Sequence, residues 1–125
     1  MKEWTKLEIF NHVDLQDSFV MSWTLKDNRL EFILVASLWP GHAQYEKPKK
    51  NEYTCYKDAK LIFFDCDEVK GLMAMENTVS TEDPDGSIDF GNIDSLIEKP
   101  NGIFEVIGNF GTVIIVCKSM NFIIT

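Results

Sequence analysis

From Phe19 the side chains alternate, with Phe19, Met21, Trp23 and Leu25 apolar and Ser22 and Thr24 between them. The same period returns in Leu30, Phe32, Leu34, Ala36 and Leu38. A period of two puts one set of side chains on one face of an extended chain, so each run predicts a half-buried strand with its apolar set toward the core. Between them Lys26-Asp27-Asn28-Arg29 is a polar turn whose central Asp and Asn tolerate left-handed backbone, and the three pieces together predict a β-hairpin. Trp39-Pro40-Gly41 ends the second strand because proline donates nothing to a ladder, and the lysine-rich stretch through Pro48 to Asn51 reads as an exposed loop.

Tyr53 to Phe64 is rich in aromatic and aliphatic residues and predicts one or two strands, with Leu61-Ile62-Phe63-Phe64 apolar on both sides. Val69 to Met75 suits either a strand or a helical turn. Asp83-Pro84-Asp85-Gly86-Ser87 is a turn, after which Asn92 is placed to cap a short helix over Ile93 to Glu98, stopped by Pro100-Asn101-Gly102. Ile103 to Ile107 and Thr112 to Cys117 read as strands around Gly108-Asn109-Phe110-Gly111, the second apolar on both faces and therefore central. Met120, Phe122 and Ile124 alternate, which ties the last segment into a sheet. Many short strands with one short helix predict a mainly β fold, an antiparallel sandwich or a partly open barrel with at most one or two short helices, as one domain over residues 1–125.

Composition agrees: 125 residues, 45% of them hydrophobic, are enough for one core and too few for two ordinary domains. The first residues mix charges into every turn and show no secretory pattern, and no apolar run approaches the ~20 residues that span a bilayer, so neither export nor a membrane role is expected. Cys55, Cys66 and Cys117 form no close pair, neither a disulfide framework nor a zinc site, and are expected as reduced thiols in a cytoplasm. Twenty acidic against twelve basic residues give a net charge of −8, which repels a phosphate backbone and excludes general nucleic-acid binding. The excess is concentrated: up to Ile62 acids and bases balance, whereas between Asp65 and Asp94 nine acids face Lys70 alone. Such a run either faces water or meets a cation.

Residues 81–92 resemble a twelve-residue calcium loop, with oxygen ligands in alternate positions and Gly86 at the bend. Thr81 stands where an acid is needed, Asn92 where a bidentate glutamate is needed, and Pro84 intrudes, so a polar hairpin loop is the stronger reading and no bound metal is expected. Asp65, Asp67 and Glu68 form a second acidic group, with Cys66 pointing inward if the strand continues and Asp65 and Asp67 sharing the opposite face. His12 and Asp14 have the spacing of a base and its orienting acid, but that spacing recurs by chance in many proteins. Trp39, His42 and Tyr45 gather in one loop beside the lysines, a combination that suits ligand stacking, although a boundary loop with partly exposed aromatics is the commoner case. With no phosphate loop, nucleophile elbow or Cys-His-Asn order, no enzyme and no cofactor are expected.

Asp17-Ser18-Phe19-Val20 opening the first hairpin, the return strand Leu30-Glu31-Phe32, and the run from Gly102 through Gly111 into Thr112 to Cys117 carry a resemblance. The chain is similar to small bacterial β-rich domains of uncharacterised function, of which several kinds are immunity proteins beside polymorphic toxins. The resemblance covers the two ends of the chain, leaves the acidic middle unmatched and carries over no functional residue. It implies a non-catalytic protein-binding module, an immunity-type inhibitor that meets a basic protein partner. Joined with the charge pattern, it makes Asp65, Asp67, Glu68, Glu82, Asp83, Asp85, Asp89 and Asp94 the candidate binding residues. The alternative is a divalent-metal-binding domain or metal-dependent hydrolase built on the loop around Asp83, and a homodimer through an exposed strand edge is a further expectation.

Overall fold

A computed structural model describes residues 1–125. The first hairpin is its largest feature: β2 (Val13–Lys26) and β3 (Arg29–Leu38) pair antiparallel, and Asp27 and Asn28 both take positive φ (54° and 59°), the two left-handed positions of a tight two-residue turn. β4 (Cys55–Phe64) pairs with the far side of β3, and β11 (Ser119–Ile124) with the far side of β4, giving a four-stranded sheet in the order β11-β4-β3-β2. A five-stranded sheet runs β1 (Lys2–Glu3), β8 (Ile93–Lys99), β9 (Ile103–Gly108), β10 (Gly111–Val116), β5 (Glu68–Lys70). A separate small hairpin joins β6 (Thr81–Glu82) to β7 (Ile88–Asp89). All pairings are antiparallel, and the helical content is four single 3-10 turns, so the fold is the mainly β sandwich expected.

The two large sheets face each other across one core. From the four-stranded sheet come Val20, Trp23, Leu30, Phe32, Leu34, Leu61 and Phe63, and from the other Leu96, Phe104, Val106, Val113 and Ile115, with Phe110 from the β9–β10 turn. Phe110 lies 4.9 Å from Phe32 and 5.8 Å from Trp23 between ring centroids, so aromatic contacts stitch the layers together. The link from β7 to β8 also meets β2, where Phe90 N–H donates to the Val20 carbonyl and Val20 N–H to the Gly91 carbonyl, each at 2.8 Å. These bonds close one flank of the sandwich.

Three expectations need correction, and a fourth, the central place of the strand after Gly111, holds. The run Ile93 to Glu98 is strand β8, not a helix: a register shift between Ile93 and Ser95 leaves Ile93 and Leu96 both inward at a spacing of three, which imitates helical periodicity. The alternation of Phe19, Met21, Trp23 and Leu25 does not hold one face. A second bulge, between Val20 and Ser22, turns Val20 and Trp23 into the core and leaves Phe19 and Met21 on the outer face of the sheet, with Leu25 48% exposed. Asp65 and Asp67 do not share a strand face, because Asp65 turns the chain with a φ of 52° between β4 and β5. Strand β10 does lie between two neighbours, β9 and β5, but only Val113 and Ile115 enter the core, while Ile114 and Val116 face outward and stay partly exposed.

Other strands lie where the alternation places them. The β3 set Leu30, Phe32, Leu34, Ala36 and Leu38 is wholly buried, Val69 to Met75 contributes strand only at its start, and the last strand is held by β4. On the outer face of β4, Ile62 is buried apart from the main core, beside Glu31, whose carboxylate takes Arg29 at 3.2 Å and Lys60 at 3.1 Å. No helix is long and apolar enough to cross a membrane.

Candidate functional site

Strand β2 is a ruler along which the acidic residues are distributed. Asp94 lies at one end, where its carbonyl accepts from the Gln16 side chain at 3.2 Å beside Glu3 and Thr5. Midway, Phe19 bridges to Asn92 and the β6–β7 hairpin comes alongside. At the far end, Asp67 and Glu68 share a shallow depression with Lys26, Asp27 and Asn28. At ~3.3 Å per residue, Gln16 and Lys26 are about 30 Å apart, so the candidate acids form three separate groups along the molecule.

The far group is fixed by backbone bonds: Cys66 N–H donates to the Asn28 carbonyl at 2.7 Å and Asp67 N–H to the Val116 carbonyl at 2.8 Å. Cys66 is buried and inward, as expected, and burial raises its thiol pKa. Glu68 is paired with Lys70 at 2.6 Å and so is partly neutralised. Glu82 is exposed in the ladder of β6, opposite Ile88.

The middle group is the one that forms a site. Asp83, Asp85 and Asp89 line a groove of about 350 Å³ with Ser87, Glu52, Tyr56, Phe19, Met21 and Val35. Its floor is the outer face of the four-stranded sheet, where the bulge after Val20 places Phe19 and Met21, the register sets Val35 opposite Phe19, and the Tyr56 ring lies 5.8 Å from that of Phe19. Its rim is the β6–β7 hairpin together with Glu52. None of the lining residues is basic.

The hairpin loop is held from within. Asp83 N–H donates to the Ser87 carbonyl at 2.8 Å, Gly86 N–H to the Asp83 carbonyl at 2.9 Å, and the Ser87 hydroxyl to Asp85 Oδ1 at 2.6 Å. The Ser87 hydroxyl and backbone N–H together hold the Asp85 carboxyl below the ordinary range. Asp89 is buried to 7% exposure, and its Oδ1 accepts the Gly91 N–H at 2.9 Å. Across the floor the Tyr56 hydroxyl donates to Asp17 Oδ2 at 3.3 Å. Burial first, and then the charges of Asp17, Glu52 and Asp14, push the Tyr56 phenol up to about 12. The carboxylates on this side of the sheet thus add to burial in disfavouring the phenolate.

Nowhere do three His, Cys, Asp or Glu side chains converge in a metal-binding arrangement. His12 sits in a turn with φ of 60° before β2, away from the strand position that would pair it with Asp14, and Asp14 instead accepts from Asp17 N–H at 3.3 Å. His42 Nδ1 accepts from Gln44 N–H at 3.0 Å, with burial and the neighbouring His12 lowering its pKa, and Tyr45 packs on the core. Reading the sequence for acids found the rim but not the floor, because Phe19 and Met21 look like core residues until the bulge is known, and Tyr56 and Glu52 lie thirty or so residues from the hairpin they face. Compared with protein-family models, curated proteins and solved structures, the chain matches none.

Proposed function

We propose that this chain is a non-catalytic protein-binding module of the immunity type, which takes a basic segment of a partner protein into the groove between the β6–β7 hairpin and the outer face of β2. One observation carries the reading: an apolar floor of Phe19, Met21, Val35 and the Tyr56 ring is rimmed by Glu52, Asp83, Asp85 and Asp89, with no base among the lining residues. A lysine or arginine has the matching shape, an aliphatic stem for the floor and a cation for the rim. The groove is small beside the ~800 Å² per partner of a stable interface, so it serves as the anchor pocket at the centre of a wider contact. The net charge of −8 adds long-range steering of a basic partner. The polar groups support binding over catalysis, since both hydroxyls in the groove, of Ser87 and Tyr56, are bonded to carboxylates and no histidine lines it.

An oligo-arginine peptide titrated into isotopically labelled protein tests this. Saturable shifts centred on Met21, Val35, Tyr56 and Ser87, weakening as salt is raised and lost in the Asp83→Asn, Asp85→Asn double variant, are expected. Shifts spread equally over Asp94 and the Asp65–Glu68 end, or no saturation at low salt, would overturn the reading.

A further inference from the structure

The outer face of the five-stranded sheet lies away from that groove and has a different character. Alternation sends Leu96, Phe104, Val106, Val113 and Ile115 into the core and leaves Ile97, Ile103, Ile114 and Val116 facing outward, each partly exposed. The register lines this face up in two neighbouring rows. One runs Glu3, Ile97, Glu105, Ile114, Lys70 and the next Lys99, Ile103, Val116, Glu68, each residue opposite its neighbour on the adjoining strand. Within the chain Lys99 reaches Glu105 at 3.6 Å and Lys70 reaches Glu68 at 2.6 Å, which confirms that these four side chains share the face. Glu3 extends the first row beyond Ile97, so three acids stand with two bases here, a small excess in a chain whose net charge is −8.

We propose that this face is a homodimer interface, on which a second copy packs face to face about a two-fold axis lying across the strands, midway between the two rows. That operation lays each row over the other. Lys70 of one copy comes over Glu68 of its partner and the reverse, Ile114 meets Val116, and Glu105 meets Ile103 with the partner's own Lys99 alongside. Opposite charges and aliphatic groups are matched at once, which is the self-complementarity an isologous contact requires. Facing sheets pack about 10 Å apart with strands nearly aligned, a geometry these rows accommodate. A two-fold axis along the strands through β9 would instead stack Glu105 on Glu105, which the charges disfavour. Aliphatic side chains set between opposite charges let two copies approach on this face despite a net charge of −8 on each.

Sedimentation equilibrium on the full chain, from micromolar to millimolar concentration, reads the outcome directly. A concentration-dependent species of twice the 14.4 kDa chain mass is expected. Lys70→Glu and Glu68→Lys alone should each raise the dissociation constant about tenfold, because each sets like charges opposite in two symmetric places, and the double exchange should restore it. Ile114→Lys should give a monomer with an unchanged near-ultraviolet spectrum, and Ile114→Thr covers the case in which the lysine variant fails to fold. A wild-type chain monomeric throughout, or a double exchange no better than either single one, overturns the proposal. So does a dimer that survives Ile114→Thr but is lost on Ile123→Lys in the open edge of β11, which would place the contact at a strand edge.

Discussion

The Ser18 hydroxyl accepts the Ser37 N–H at 3.0 Å and donates to the Asp14 carbonyl at 2.8 Å, and both serines are buried. It stands where the β2–β3 ladder is interrupted between Asp14 and Phe19, so one side chain replaces the backbone partner that the irregularity removes. Ser18→Ala leaves a buried N–H with no acceptor. A loss of about 1–3 kcal/mol is expected in urea unfolding, with the midpoint lowered and the slope unchanged. A change within a few tenths would mean that water or a shifted ladder takes over the bond.

At the other end of the same hairpin, Asp27 and Asn28 hold the left-handed conformation that the two-residue turn imposes. Asn28→Gly should be neutral or slightly stabilising, since glycine carries no penalty there. Asn28→Val should cost about 1–2 kcal/mol, because a β-branched side chain is strained at positive φ. Thermal unfolding of the two variants checks the ordering, and equal midpoints would show that the turn relaxes.

A tighter restriction lies at Gly71, which has φ of +90° and packs directly against the Thr112 carbonyl, leaving no room for a Cβ. Gly111 packs in the same way against the carbonyl of Gly71. Gly71→Ala therefore forces β5 away from β10 and should cost at least ~2 kcal/mol. Hydrogen exchange should accelerate first at Val69 and Ile115, which face each other across that ladder.

How far the sequence could be read depended on whether a strand was regular. The β3 set from Leu30 to Leu38 alternates without interruption, and its period of two gave face, length and partner together. In β8 a one-residue irregularity produced a spacing of three between Ile93 and Leu96, and the capping Asn92 with the stop at Pro100 completed a false helix. Pairing with β9 decided that segment, a contact no local pattern contains. The site followed the same rule. Asp83, Asp85 and Asp89 were visible as acids, but their setting depended on Phe19 and Met21 facing out, and that is set by the bulge after Val20. Charge counting alone could not separate the three acidic groups, because sequence distance says nothing of position along β2.

Tyr56 provides a pH test of the groove. Its folded pKa of about 12 exceeds the unfolded value of 10.0, with burial the first cause and the carboxylate of Asp17 the second. The folded chain therefore holds the phenolic proton more tightly than the unfolded one. The resulting stabilisation is complete below pH 10 and is lost as pH rises through about 12. A late tyrosinate absorbance step is expected in the wild type and absent in Tyr56→Phe, and Asp17→Asn should move that step to lower pH. A step that stays in place in Asp17→Asn would assign the whole effect to burial.

The rim and the floor of the groove should separate kinetically when a basic peptide binds. Asp83 and Asp85 are exposed, so their charges act mainly on the approaching partner, screened by salt. Asp85→Asn should slow association and flatten its salt dependence, with little change in the dissociation rate. Phe19 and Met21 form the floor and are touched only after docking. Met21→Ala, which removes apolar contact without altering charge, should speed dissociation several-fold and leave the salt dependence of association as it was. Surface plasmon resonance with an immobilised oligo-arginine peptide, run at two ionic strengths, distinguishes the two effects. If both variants altered only association, binding would be a diffuse attraction to acidic surface with nothing seated on Phe19 and Met21, and the apolar floor would have no part in recognition.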